Sequence, residues 1–387
     1  MNKDQKITFL MPTFFSERVG GVEIQTYLLA THLSKLEWKV DFVSETYDVR
    51  KIGRSEIFDG VTIHWVSKKN HFSFWRRDIQ KLVLLIKPDY IYQRGRSRFT
   101  SSPIAINVAK KLKAKLIYHC AEDNDFNRSF NFEQVHQSTK SFFKKIILGF
   151  EALLSDYYFY QTIKKSHLII AQTESQKLQF LRFFNKDATV IRSAHELPNE
   201  VIQKSEPPMI FWIANTGRRK QPEKFIELAK SLLDTPYRFV MAGPIPDRGY
   251  AEELLNQIRS TPNLEYAGPL SWEESNDFFA KATFFVNTTL LGREGFPNTY
   301  IQAWMRGTPV LTLHCDPDGL IEKHGLGKQL PSIESLTQWI KSQLSNPEKI
   351  YAMQQRALNY GHINHDISKT SVEFEHFLLS CSTELYL

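Results

Sequence analysis

Three cysteines in 387 residues, at positions 120, 315 and 381, are too few and too scattered for a disulfide framework or a cysteine-based zinc site. No apolar run reaches the roughly 18 residues that would suggest a bilayer-spanning helix. The first residues, Met1 to Lys6, are polar and lead directly into a strand pattern, which argues against a secretory leader and for a cytosolic location. The Gly-x-Gly-x-x-Gly fingerprint is missing, so a nicotinamide dehydrogenase is not expected. There is no internal repeat or low-complexity run, and no nucleic-acid recognition module accompanies the basic residues.

What is present is an alternation of short apolar strands and amphipathic helices. Strand patterns cover Ile7 to Met11, Tyr90 to Tyr92, Lys115 to Tyr118, Met209 to Ala214, Arg238 to Ala242, Leu264 to Ala267, Ala282 to Asn287 and Val310 to Leu313. Helical spacing places Val22, Leu29, Leu33 and Leu36 on one face, and Phe225, Leu228, Ala229 and Leu232 on another. Such a rhythm predicts an α/β protein with parallel sheets covered on both sides. The length fits two domains better than one core. Ser205-Glu206-Pro207-Pro208 reads as a seam, and Asp366 to Phe377 reads as a last helix.

Two elements carry candidate chemistry. In Glu294-Gly-Phe-Pro-Asn-Thr-Tyr-Ile-Gln302, Gly295 and Pro297 form a turn, and Asn298 caps or opens a helix that Gly307 and Pro309 stop. The N–H groups at a helix start favour phosphate oxygens, and Gln302 lies one turn in. The second element, Arg218-Arg219-Lys220, follows the Met209 to Ala214 strand and could supply positive charge to the same anion. Ligands of parallel sheets bind at the carboxyl ends of strands, where both Lys220 and Glu294 fall. Taken alone, each has a plain reading as a solvated loop.

These residues resemble the Glu-x7-Glu signature of the group 1 glycosyltransferases. The matching positions are Glu294, Gly295, Phe296, Pro297, Ala303, Gly307, Pro309 and Val310, and Gln302 stands where the family has its second glutamate. The resemblance extends to Gly20 and Gly21 as the glycine turn after the first strand, and to Gly268-Pro269-Leu270-Ser271 before an acidic helix. It implies a GT-B fold of two facing Rossmann-like domains: 1–198 for the acceptor, a linker at 199–208, 209–365 for the nucleotide sugar, and 366–387 as a terminal helix packing back on the first domain. It further implies that Lys220, with Arg218 or Arg219 because the usual arginine position is Gly217, grips a donor diphosphate together with Asn298 and Thr299. Glu294 would lie by the transferred sugar and Gln302 by the ribose, where an amide loses the charge-assisted strength of a carboxylate. His119 would serve on the acceptor side, followed by Glu122, Asp123 and Asp125. Arg94, after the Tyr90 to Tyr92 strand, is a further candidate for the same side.

The expected activity is transfer of a sugar from a UDP- or GDP-type nucleotide sugar to a hydroxyl of a saccharide or lipid-linked acceptor, with retention. No metal or other cofactor is expected; Asp123-Asn124-Asp125 matches Asp-x-Asp only superficially. Two alternatives are a nucleotide-sugar epimerase and a non-catalytic subunit of the same fold, the latter suggested by Gln302 and Gly217. Charge adds a partner. Residues 1–198 hold 31 Lys+Arg against 20 Asp+Glu, a net +11, whereas the remainder holds 18 against 22. An anionic membrane surface suits that first half, and the stretch Ser141 to Tyr160 sets Phe143, Ile147, Phe150 and Leu154 at helical spacing near Lys140 and Lys144. The competing reading of that stripe is a buried helix of the first domain.

Overall fold

The computed structural model describes residues 5–17, 20–68, 76–138, 141–199, 202–245, 248–292 and 294–383. It forms two compact units, one of Met1–Arg192 with Ile367–Leu387 and one of Ser193–Asp366. The division falls slightly ahead of the expected boundary at residue 198.

In the first unit the order is β1 (Lys6–Leu10), α1 (Gly21–Lys35), β2 (Lys39–Thr46), β3 (Ser55–Phe58), β4 (Val61–Ser67), α2 (Arg77–Ile86), β5 (Tyr90–Arg94), α3 (Ile104–Leu112), β6 (Lys115–His119), α4 (Phe130–Gln137), α5 (Phe142–Lys165), β7 (Leu168–Ala171), α6 (Glu174–Phe184) and β8 (Thr189–Val190). The strands make one eight-stranded sheet in the order β3-β4-β2-β1-β5-β6-β7-β8. All pairs are parallel except β3 with β4, an edge hairpin that the sequence reading did not anticipate. Because alternate residues point to opposite faces, Ile7 and Phe9 enter one buried cluster with Leu29, Leu33 and Trp38, while Leu10 enters another with Val83 and Val108.

The second unit runs β9 (Met209–Ile213), α7 (Pro222–Ser231), β10 (Arg238–Ala242), α8 (Arg248–Arg259), β11 (Leu264–Gly268), α9 (Trp272–Lys281), β12 (Phe284–Asn287), α10 (Asn298–Met305), β13 (Val310–Thr312), α11 (Leu320–His324), β14 (Gly327–Gln329), α12 (Ile333–Gln343) and α13 (Pro347–Asn364). Its all-parallel sheet has the order β11-β10-β9-β12-β13-β14. That is the doubly wound pattern, whose direction reverses between β9 and β12. β10 shows why such strands read as unbroken apolar runs: Phe239 and Met241 pack on one face, Val240 and Ala242 on the other. Local signals start the helices. Ser271 and Glu274 form a reciprocal capping box on α9 (Glu274 N to Ser271 Oγ, 3.1 Å; Ser271 N to Glu274 Oε2, 2.7 Å), and Pro222 opens α7. The stretch expected as a linker is partly held in this unit: Lys204 Nζ donates to Arg306 O (2.9 Å) and Thr308 Oγ1 (2.7 Å).

The last helix, α14 (Ile367–Thr383), belongs to the first unit. Phe374 and Leu378 are fully buried in the β1–β5 core, Tyr90 OH donates to Leu378 O at 3.2 Å, and Trp38 Nε1 donates to Glu375 Oε1 at 2.8 Å.

Candidate active site

The strand order of the second unit explains how two distant elements meet. β9 and β12 are neighbours at the reversal point, so the loops leaving their carboxyl ends emerge side by side. The loop after β9 carries Lys220 at the end of a single 3-10 turn, Arg218–Lys220. The loop after β12 carries Glu294. Lys220 Nζ and Glu294 Oε1 form an ion pair, with both side chains 16% exposed. Two threonines that the sequence reading missed lock this pair. Thr289 Oγ1 donates to Glu294 Oε1 at 3.0 Å, and Thr288 Oγ1 donates to Lys220 O at 2.6 Å while accepting Trp212 Nε1 at 3.0 Å. Leu290 N to Arg219 O, 3.0 Å, joins the loops again. The available signal was positional: both threonines directly follow a strand whose carboxyl end was already a candidate site.

Gly243, at the end of β10, belongs to the same rim. Its φ of +113° suits glycine, and a Cβ there would stand 1.9 Å from Ala214 O, so only glycine lets the β10 exit press against the β9 exit. Tyr266 OH donates to Gly243 O at 2.7 Å and fixes the contact.

The helix start also lies after β12. Pro297 precedes α10 and Asn298 is its first residue; Asn298 does not cap the helix, and its Oδ1 is buried without a hydrogen-bond partner. Thr299 follows in the first turn. The first N–H groups of any α-helix lack intrahelical acceptors, so this terminus can receive an anion.

The other donor-side candidates sit differently from one another. Arg218 places its guanidinium over the Tyr250 ring, 5.2 Å from the centroid, and Tyr250 OH donates to Glu223 Oε1 at 2.5 Å. Arg219 is exposed. Gln302, expected beside a ribose, is 5% exposed. Its Nε2 lies 2.9 Å from the Asn276 amide and 3.2 Å from Ser275 Oγ, so the side chain ties α10 to α9.

In the first unit, the loop leaving β1 turns through Gly20 and Gly21 into α1, and the sheet direction reverses between β1 and β5. Arg94 ends β5 and His119 ends the adjacent β6, paired in register. Arg94 Nη2 donates to Gln172 Oε1 at 3.2 Å. His119 Nδ1 lies 2.8 Å from Tyr92 OH, and its Nε2 is buried with no hydrogen-bond partner. Burial, and then the Arg94 charge, hold the imidazole well below its usual pKa, so the ring is neutral at neutral pH. Tyr92 is pushed up to about 12, chiefly by burial.

The Asp123-Asn124-Asp125 stretch is a local structural device. Asp125 Oδ2 accepts Ala121 N at 2.9 Å and, with Glu122, caps the short turn Asp123–Phe126. Burial, then the Glu122 charge, raise Asp125 to about 6. Among the described residues, no group of three or more His, Cys, Asp or Glu is arranged to hold a metal ion.

Residues 207–346 match the model of the family described as Glycosyl transferases group 1. Sucrose-phosphate synthase of Thermosynechococcus elongatus is similar in structure, with a TM-score of 0.73, 13% identity, and cover of 98% of this chain and 100% of that one. HepE of Anabaena, solved with UDP and glucose, has a TM-score of 0.70 at 13% identity, covering 97% and 100%. WaaG, a glycosyltransferase involved in lipopolysaccharide biosynthesis, has a TM-score of 0.67 at 14% identity, covering 95% and 98%. Likenesses at this identity show the fold. No curated protein sequence matches the chain significantly. Residues 207–346 thus carry a match to the group 1 glycosyltransferases, and the pair of doubly wound domains has the GT-B fold.

Proposed function

We propose that this enzyme transfers a sugar from a UDP- or GDP-type nucleotide sugar to a hydroxyl of a saccharide or lipid-linked acceptor, with retention of configuration, in the synthesis of a cell-surface polysaccharide or glycolipid. The observation that carries the reading is the convergence of Lys220, Glu294 and the start of α10 at the reversal point of the second sheet. The nucleoside diphosphate leaves with increasing negative charge. Lys220, with Arg219 and the N–H groups of Asn298 and Thr299, would stabilise that charge where it develops, and no metal is required. Glu294, held by Thr289, would orient the sugar. The first domain would take the acceptor near His119, whose neutral imidazole carries an unpaired Nε2. HepE, solved with UDP-glucose, supports a nucleotide-sugar donor, and WaaG supports an envelope-type product. The basic first half fits work at the cytoplasmic face of an anionic membrane. No helix among the described residues is long and apolar enough to cross one.

The test is binding before turnover. A panel of UDP, GDP and ADP should include one nucleotide that raises thermal stability, by roughly 2.7 kcal/mol at 100 times its dissociation constant. The response should weaken in Lys220→Ala. Absence of any response across the panel would remove the donor site and leave a non-catalytic role for the fold.

A further inference from the structure

The feature that the sugar-transfer reading does not use is the helical hairpin of α4 and α5. Its root is firmly built. Asp156, in the middle of α5, accepts Asn131 N (3.1 Å), Phe132 N (3.1 Å) and Asn131 Nδ2 (2.8 Å), and so holds the first turn of α4. The same carboxylate pairs with Arg96 at 2.9 Å, and the Arg96 guanidinium lies 3.8 Å from the centroid of the Phe159 ring. Further along, Gly149 faces the Phe132 ring across the hairpin, where a Cβ would stand in ordinary contact at 3.6 Å. Lys145 Nζ donates to His136 O at 2.8 Å near the tip.

The tip itself has almost no core. α4 contains no fully buried residue. On α5, Phe142, Phe143, Ile146, Ile147, Phe150 and Leu153 are each between 51% and 79% exposed, and Tyr157 continues the same stripe. The buried-helix reading of this stripe is therefore excluded for its N-terminal half. At 100° per residue these side chains span an arc of about 140°, with Lys144 beyond one edge and Lys145 beyond the other. Between Gln134 and Phe150 the sequence has three lysines and no Asp or Glu. Lys140 lies outside the described residues. So broad an exposed apolar face marks an interaction surface rather than ordinary surface scatter.

We infer that the α4–α5 hairpin is a membrane anchor, lying in the interface of an anionic phospholipid bilayer with its apolar face among the acyl chains and its lysines at the phosphates. The charge pattern selects this occupant. A second copy would bring lysines against lysines at the tip, with Glu133 and Glu151 only at its base, whereas anionic headgroups complement the lysines on both flanks of the stripe. The inference deepens the membrane part of the reading above. It replaces attraction of a basic domain by insertion of named apolar side chains.

The experiment uses the full chain and vesicles of phosphatidylcholine, with and without phosphatidylglycerol. Wild type should sediment with the anionic vesicles. Phe143→Ser with Ile147→Ser, two exposed positions whose loss should leave the melting temperature unchanged, should lower the partition coefficient at least about tenfold even at low salt. Lys144→Glu with Lys145→Glu should weaken binding to anionic vesicles and abolish its salt dependence. Unchanged partition of the Phe143/Ile147 variant would overturn insertion. Failure of wild type to sediment at low salt would overturn the anchor, and so would a stable dimer that the same pair of substitutions dissolves. Nucleoside diphosphate binding, measured on every variant, should not change. Its absence in all of them would overturn the donor site, while the sedimentation result would still decide the anchor.

Discussion

Lys220 and Glu294, 74 residues apart in sequence, form an ion pair, and Thr289 donates to the carboxylate oxygen that receives the lysine. The acid that should meet the sugar thus offsets part of the charge of the lysine that should meet the diphosphate. Removing the lysine (Lys220→Ala) and neutralising the acid (Glu294→Gln) should therefore act in opposite directions on nucleotide binding.

Lys220→Ala removes a charge-assisted contact and should cost about 1.5–3 kcal/mol of donor binding or transition-state stabilisation. Steady-state kinetics with saturating acceptor would read this directly. Unchanged kinetics would take Lys220 out of the mechanism.

Glu294→Gln should lower turnover while leaving the affinity for free nucleoside diphosphate equal or tighter, because the substitution frees Lys220 for the phosphates. Calorimetry with the diphosphate and a transfer assay separate the two effects. A parallel loss of diphosphate affinity would place Glu294 against the nucleotide instead.

Gln302→Met keeps the volume but leaves the Asn276 amide and Ser275 hydroxyl without their partner. It should destabilise the protein by about 1–3 kcal/mol in urea unfolding, with nucleotide affinity preserved. A large loss of affinity without a loss of stability would place Gln302 against the ribose.

His119 should make stability pH-dependent. In the unfolded chain a histidine takes up a proton near pH 6.5, whereas in the fold burial and Arg94 keep His119 neutral well below that. The unfolded state therefore binds more protons as pH falls below 6.5, and native stability declines by up to roughly 1.4 kcal/mol per pH unit from this group. Above pH 6.5 the contribution is flat. Urea unfolding between pH 7 and 5 should show a shallower decline in His119→Gln; an identical slope would mean that His119 is protonated in the fold.

Some of this was legible because it depends on pattern and order. The stretch Arg238 to Ala242 reads as a strand because a short apolar run stops at Gly243 and Pro244, and Lys220 and Glu294 each follow such a strand. Strand order, which makes β9 and β12 neighbours, then brought them together. Other features depend on what lies across space. Gln302 has the same helical position whether it faces a ribose or Asn276, and Arg218 gives no sign of the Tyr250 ring, 32 positions later, that receives its guanidinium. The α5 stripe is the clearest case. Periodicity locates an apolar face but does not say whether protein or another medium covers it, and here Phe143 and Ile147 are bare while Phe159 and Ile163, on the same helix, are buried.

The placement of α14 in the first unit also bears on the order of events at the ribosome. The β1–β5 core has a gap until Phe374 and Leu378 arrive, whereas Ser193–Asp366 is continuous and has all its strands once β14 is made. Limited proteolysis of chains stalled after Asp366 should find the second unit resistant and the first still cleavable. Synthesis from the amino terminus would then complete the later domain before the earlier one, whose core waits for α14.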